Sequence, residues 1–217
     1  MGTDEQDSYF DPEYIYAELR RTGATNYIVE NGVSKAVIIF DDYDFVIKTP
    51  INGMWYYPEP EYNEEEDAEE ELEYPDPIFD TFTGAEADDS SDYCWDEVKK
   101  IEWAYCCGFE ALFPQTAFLV EVNNRRYYIQ EKVQTVREYK PKVSEESRTR
   151  AENMDDQYCH GSKEWRAAII ENYGEDFWIR FCEWDRQVGT MSDMHSGNYG
   201  YSMDGKPIIL DASGFNS

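Results

Sequence analysis

Positive charge is what this chain has least of. Its 19 Lys and Arg stand against 47 Asp and Glu, for a formal net charge of -28. A surface of that sign repels nucleic-acid phosphates and anionic membranes, and it attracts basic protein surfaces and cations. Histidine is scarcer still. Neither His160 nor His195 has a second His or Cys at ligand spacing, which leaves no zinc pattern around them. Cys94, Cys106, Cys107, Cys159 and Cys182 are odd in number and include no C-x-x-C. Neither a zinc site nor a disulfide framework is expected from them, and a reducing cytoplasm fits best. Long apolar runs are missing too, and no signal peptide is read at the start. The expectation is a soluble, cytoplasmic protein.

What is present is enough for a fold. A chain of 217 residues can form one large domain or two small lobes around a real core. Aromatics at 16% argue for packing, while a mean hydropathy of -0.76 says that part of the chain is solvated. That part is read as an acidic insertion over about 51–92, which contains the run Glu64-Glu65-Glu66-Asp67-Ala68-Glu69-Glu70-Glu71. Like charges repel and stay hydrated, so residues 62–73 are expected to be mobile and removable without unfolding the domain. Trp55-Tyr56-Tyr57 and Ile78-Phe79-Asp80-Thr81-Phe82 flank the run, as packing aromatics or as a partner-binding edge.

Turn and cap residues divide the rest. After a polar tail, Asp11-Pro12-Glu13 reads as an N-cap, a first-turn proline and a first-turn acid, opening a helix to about Arg21 that Gly23 stops. Strands are expected over 26–30, 34–40 and 44–49, the first two joined through Asn31-Gly32 and the third carrying Phe45-Val46-Ile47-Lys48. A helix over 92–107 places Cys94, Trp95, Val98, Ile101 and Tyr105 on one face, with Glu97 and Glu102 on its two borders, and Gly108 ends it. Residues 115–122 and 125–133 form a hairpin around Asn123-Asn124, which completes a five-stranded antiparallel sheet in an α+β fold. The mixed-charge stretch 139–161 reads as a surface linker. Helices follow over 165–173 and 176–188, the second with a stripe of Phe177, Phe181, Trp184 and Val188.

The chemistry concentrates in residues 190–215. Asp193-Met-His-Ser-Gly-Asn198 lies on a glycine-containing loop, Asp204-Gly205 marks a hairpin, and Asp211-Ala-Ser-Gly follows the apolar run 207–210. This order resembles the catalytic loop and metal-binding segment of the protein-kinase-like superfamily, where Asp-x-x-x-x-Asn precedes a strand pair and an Asp next to a Gly. His195 makes the loop D-x-H-x-x-N, the form of the small-molecule phosphotransferase branch. Phe45-Val46-Ile47-Lys48 is similar to the kinase strand whose lysine holds nucleotide phosphates, and the helix that follows holds that lysine's glutamate partner in the family. The chain as a whole looks like the short kinase-like proteins of phages and bacteria.

The resemblance implies a minimal protein-kinase-like fold with an N-lobe over 1–133 and a truncated C-lobe over 134–217. It implies ATP and Mg²⁺ as cofactors, and a bacterial or phage-infected host cytoplasm. Asp193 would orient or deprotonate the attacking hydroxyl. Lys48 would hold the phosphates and pair with Glu97, Glu102 being the fallback partner. Gly32 would belong to the phosphate loop, Glu131 and Val133 to the adenine-binding hinge, and Asn198 and Asp211 would ligate the metal. Such residue types suit phosphoryl transfer, which needs positioning and charge neutralisation and little covalent chemistry from the protein. Three departures from the family pattern stand beside these matches. Residues 32–37 hold one glycine, the usual Asp-Phe-Gly is Asp211-Ala-Ser-Gly, and no activation segment follows Asp211. Two functions fit: a phosphotransferase acting on a protein, with adenylyl transfer as its variant, or a catalytically silent, acidic pseudokinase module that binds and inhibits a basic partner.

Overall fold

The computed structural model describes residues 10–24, 26–31, 34–51, 92–122, 124–188 and 194–212. The acidic run, both aromatic clusters that flank it, Gly32 and Asp193 lie outside the described residues. The chain divides into two compact units, Met1–Cys94 with Ala117–Gln130, and Trp95–Thr116 with Glu131–Ser217.

Local chemistry sets the first unit's helix, α1 (Pro12–Thr22). Asp11 Oδ1 accepts the N–H of Glu13 at 2.9 Å and of Tyr14 at 3.5 Å, Pro12 fills the first turn, and Gly23 closes the end in the left-handed region at φ 58. Such an N-cap contributes about 1 kcal/mol. Ile15 and Leu19, one turn apart, are buried. They pack on a sheet of β1 (Tyr27–Asn31), β2 (Lys35–Phe40), β3 (Phe45–Pro50), β4 (Thr116–Val122) and β5 (Arg125–Glu131), in the order β1-β2-β3-β5-β4. The sheet is antiparallel throughout, as the sequence predicts. Ile38, Phe40, Phe45, Ile47, Leu119, Tyr127 and Ile129 form one cluster with Ile15 and Leu19. Central β3 is buried on both faces, which is why its apolar run does not alternate with polar residues.

Helix α2 (Tyr93–Cys106) carries the chain into the second unit. Its buried positions are Cys94, Glu97, Val98, Ile101 and Ala104, whereas Trp95 and Tyr105, expected on that face, are 40% and 37% exposed. Small Ala104 allows the close approach, its carbonyl accepting the Phe109 N–H at 2.9 Å as the chain turns through Gly108. The buried stripe is thereby rotated to put Glu97 inside it. Cys106 and Cys107 sit exposed at the helix end.

The second unit adds α3 (Glu145–Glu152), α4 (Lys163–Tyr173) and α5 (Glu175–Val188), and a three-stranded sheet in the order β6 (Gln134–Thr135), β7 (Tyr199–Tyr201), β8 (Pro207–Ile209). Trp165, Trp178 and Phe181 are fully buried at its centre, with Trp165 against Trp178 at 5.6 Å and Trp178 stacked on Phe181 at 5.5 Å. On α5, Phe181 and Val188 are buried as expected, but Trp178 and Cys182 complete the buried face while Phe177 and Trp184 lie at its border.

The expected linker over 139–161 is not one. It contains α3 and a short 3-10 turn, Asp156–Tyr158, and it buries Ala151 and Met154. Polar bonds hold α3 in place of an apolar stripe. Glu171 Oε2 on α4 accepts from Ser144 Oγ at 2.5 Å, Ser147 Oγ at 2.6 Å and Ser144 N–H at 3.2 Å. These bonds hold the Glu171 carboxyl below the usual carboxylate range.

Candidate functional site

Asn198 and Asp211 are brought together by the β7–β8 hairpin. The register pairs Tyr199 with Ile209, Gly200 with Ile208 and Tyr201 with Pro207. Beyond the last rung the carbonyl of Asn198 accepts two N–H groups, from Leu210 at 2.9 Å and from Asp211 at 3.4 Å. The Asn198 N–H donates to the His195 carbonyl at 2.9 Å, and the Gly197 N–H to His195 Nδ1 at 3.0 Å. Both candidate ligands are half-buried. Residues 195–198 and 210–211 thus meet through the main chain.

The hairpin's far end is equally fixed. Gly205 takes φ 84 and its N–H donates to Ser202 O at 2.9 Å, as Asp204-Gly205 predicts. Asp204 pairs with Lys206 at 2.7 Å and hydrogen-bonds Ser202 Oγ, and these two contacts, Lys206 first, hold its carboxyl below the usual range. A side chain at Gly205 would run into the Tyr139 hydroxyl, and one at Gly200 into the main-chain carbonyl of Gln134 on β6. Glycine is needed at both positions for close approach.

Side chains around the hairpin bond its carbonyls. Trp165 Nε1 donates to Gly200 O at 3.0 Å and Gln134 Nε2 to Ser202 O at 2.9 Å, while the Tyr173 hydroxyl donates to Ala111 O at 2.9 Å with Pro207 O at 3.3 Å. Burial pushes the Tyr173 and Tyr201 hydroxyls far above the ordinary tyrosine value, so both stay protonated. Directional bonds thus fix the hairpin from which Asn198 and Asp211 extend.

The remaining predicted residues divide between the units. In the first, Lys48 is buried on β3 opposite Val37 of β2, on the sheet face away from Phe45 and Ile47. Lys35 is buried as well, which alternation does not reveal. In the second, Glu97 is only 1% exposed, while Glu102, the fallback, is exposed. A glutamate this buried needs hydrogen-bonding or ionic partners. The Glu131 N–H donates to Gln115 O at 2.8 Å, closing the β4–β5 ladder. Val133, two residues past β5, is half-buried. Nearby, burial first and then the charge of Glu131 push the Tyr105 hydroxyl up to about 12.

Sequence reasoning passed over two buried carboxylates. Asp92, expected only as the residue that opens α2, has a fully buried side chain in the first unit. It accepts from the Tyr128 hydroxyl at 2.5 Å and from Arg126 Nη1 at 3.4 Å. Burial, then this bond, push the Tyr128 hydroxyl far above its ordinary value. Asp185 on α5 is buried beside Cys182, whose thiol is pushed up to about 12 by burial first and then by that charge. Helical spacing gives a weak signal for Asp185, four residues after Phe181 and three before Val188; nothing local marks Asp92.

As a donor set, the Asn198 amide and the Asp211 carboxylate are hard oxygens of the kind Mg²⁺ takes. Among the described residues no group of three or more His, Cys, Asp and Glu converges to hold a metal, so this pair would need oxygens from a nucleotide and water to complete a shell. No helix among the described residues is long and apolar enough to cross a membrane. No protein-family model, no curated protein and no solved structure matches the chain.

Proposed function

We propose that the protein is a minimal kinase-like phosphotransferase that uses ATP and Mg²⁺ and modifies a protein. One observation carries this most: the Asn198 carbonyl binds the Leu210 and Asp211 N–H groups, so an amide and a carboxylate at the spacing of a phosphotransferase metal pair start from one main-chain junction. Buried Lys48 on the third strand and buried Glu97 on the following helix agree with the same pattern, each within its own unit. When bound, Mg²⁺ and ATP supply the phosphoryl group and neutralise its charge. Asn198 and Asp211 would hold the metal, and Lys48 would hold phosphate oxygens. Asp193 would accept the proton of the attacking hydroxyl. Gly32, with the main chain at Glu131 and Val133, would take the nucleotide's remaining groups.

The alternative is a silent module that binds and inhibits a basic partner, favoured by the charge of -28 and by the single glycine in residues 32–37. Two variants separate the proposals, because a ligand and a base fail differently. Asp211→Asn should weaken Mg²⁺-dependent ATP binding in calorimetry. Asp193→Asn should leave binding intact and slow transfer of labelled γ-phosphate by ~10² to 10⁴-fold. ATP binding without transfer in the unmodified protein would favour the silent module, and no binding at all would sink the enzyme.

A further inference from the structure

Against the sign of the whole chain, residues 132–150 hold six cations and three acids, a local net charge of +3. The cations are Lys132, Arg137, Lys140, Lys142, Arg148 and Arg150. Arg150 is engaged, with Glu146 at 2.6 Å and Glu175 at 3.6 Å. Arg137, Lys140, Lys142 and Arg148 are exposed, and none of the four makes an ion pair among the described residues.

The fold fixes this strip. Tyr139 and Val143 pack against the core of the second unit, Tyr139 with its ring 4.9 Å from that of Tyr201. Lys140 and Lys142, between those anchors, are exposed. Pro141 fixes its own φ, restricts Lys140 before it to extended backbone and offers no N–H. Ser144 then caps α3, and Arg148 lies exposed one turn into that helix. Of the nearby acids, Glu138 accepts the Thr135 N–H at 2.8 Å, Glu146 pairs with Arg150, Glu171 takes the two serines, and Glu145 is exposed in the first turn of α3.

We propose that Arg137, Lys140, Lys142 and Arg148 form a docking strip for an acidic peptide segment of a partner protein. Opposite charge at short range makes the strip attractive, since salt screens the rest of the chain beyond about 8 Å at physiological ionic strength. Total repulsion, by contrast, grows with the charge of the partner. A short run of Asp and Glu can face four cations and end there, whereas a duplex nucleic acid carries a charge about every 1.7 Å and continues past them. This strip stands independently of the phosphotransferase proposal, and it differs in sign from the basic partner that the overall charge attracts.

The test is fluorescence anisotropy of a labelled octaglutamate peptide with the full chain, at low and high NaCl. Binding should weaken with salt. Replacing Lys140→Glu and Lys142→Glu together should lower affinity roughly tenfold or more, since reversing two exposed charges removes two attractions and adds two repulsions. Arg180→Glu, an exposed charge on α5, should change affinity far less. Should the reversed pair melt early, Lys140→Gln with Lys142→Gln is the substitute, expected to bind weakly with an unchanged melting temperature. No octaglutamate binding by the unmodified protein would overturn the proposal, as would equal loss in the Arg180→Glu control. A labelled oligothymidylate bound as tightly as the peptide would overturn it in favour of a general polyanion site.

Discussion

The five-stranded and three-stranded sheets both sit on apolar cores, and they differ in the directional bonds added to that burial. In the first, Ile38, Phe40, Ile47, Tyr127 and Ile129 meet Ile15 and Leu19 of α1, and apolar burial supplies the cohesion. In the second, Tyr199, Tyr201 and Ile209 are buried as well, and strands of two or three residues are further held by hydrogen bonds from Trp165 and Gln134 to single carbonyls. Burial is non-directional and tolerates small shifts, whereas a donor aimed at a carbonyl fixes a position. The hairpin that places Asn198 and Asp211 is the one with the added directional bonds.

The contrast can be broken by mutation. The largest effect is expected from Ile47→Ala, which empties the centre of the large sheet and should cost ~2 to 5 kcal/mol in urea denaturation. Gly200→Ala should follow at ~1 to 3 kcal/mol, because the atom it meets is the main-chain carbonyl of Gln134, which cannot rotate away. Trp165→Phe sharpens the distinction. It keeps most of the buried ring but removes the Nε1 donor to Gly200, and should still cost about 1 kcal/mol. No change in that variant would mean that burial holds both sheets alike.

The smallest effect concerns Glu171 and is a pH dependence. Its folded carboxyl titrates below the ordinary value of 4.5, so its stabilisation of α3 is fully present above that value and is lost as pH falls through the folded pKa. Glu171→Gln should therefore be less stable than the unmodified protein at neutral pH, and the difference should close in acid. A gap that persists unchanged at low pH would show that the carboxylate charge is not what the two serines bind.

How legible each sheet was follows from the same contrast. Caps and periodicity announced α1, the β1–β3 meander and the β4–β5 hairpin, because Asp11, Gly23 and the apolar strand positions act through local rules. Asp204-Gly205 announced the β7–β8 turn for the same reason. By contrast, α3 buries only Ser147 and Ala151, so it carries no apolar stripe, and its Glu171 partner lies 24 to 27 residues away in sequence. Strand β6 is two residues long and exists because Gly200 lets it approach. Glu97 was placed on the correct helix but at the border of its face, since the aromatic rings of Trp95 and Tyr105 outweigh Ala104 in any apolar count although Ala104 is the residue that packs. Asp92 was invisible as a buried acid because its partners, Tyr128 and Arg126, are 36 and 34 residues away.

The exposed end of α2 gives the protein a built-in attachment point for probes. Cys106 and Cys107 face solvent, while Cys94 and Cys182 are buried and the Cys182 thiol is held protonated by its surroundings. A maleimide dye at stoichiometric concentration should therefore go first to the tip of that helix without any engineered cysteine. There it sits within a few residues of Trp103, whose ring lies 5.8 Å from that of Trp184. Energy transfer to that dye from Trp165, Trp178 and Trp184, all far from it in sequence, would fall as the core of the second unit is lost, in the unmodified protein.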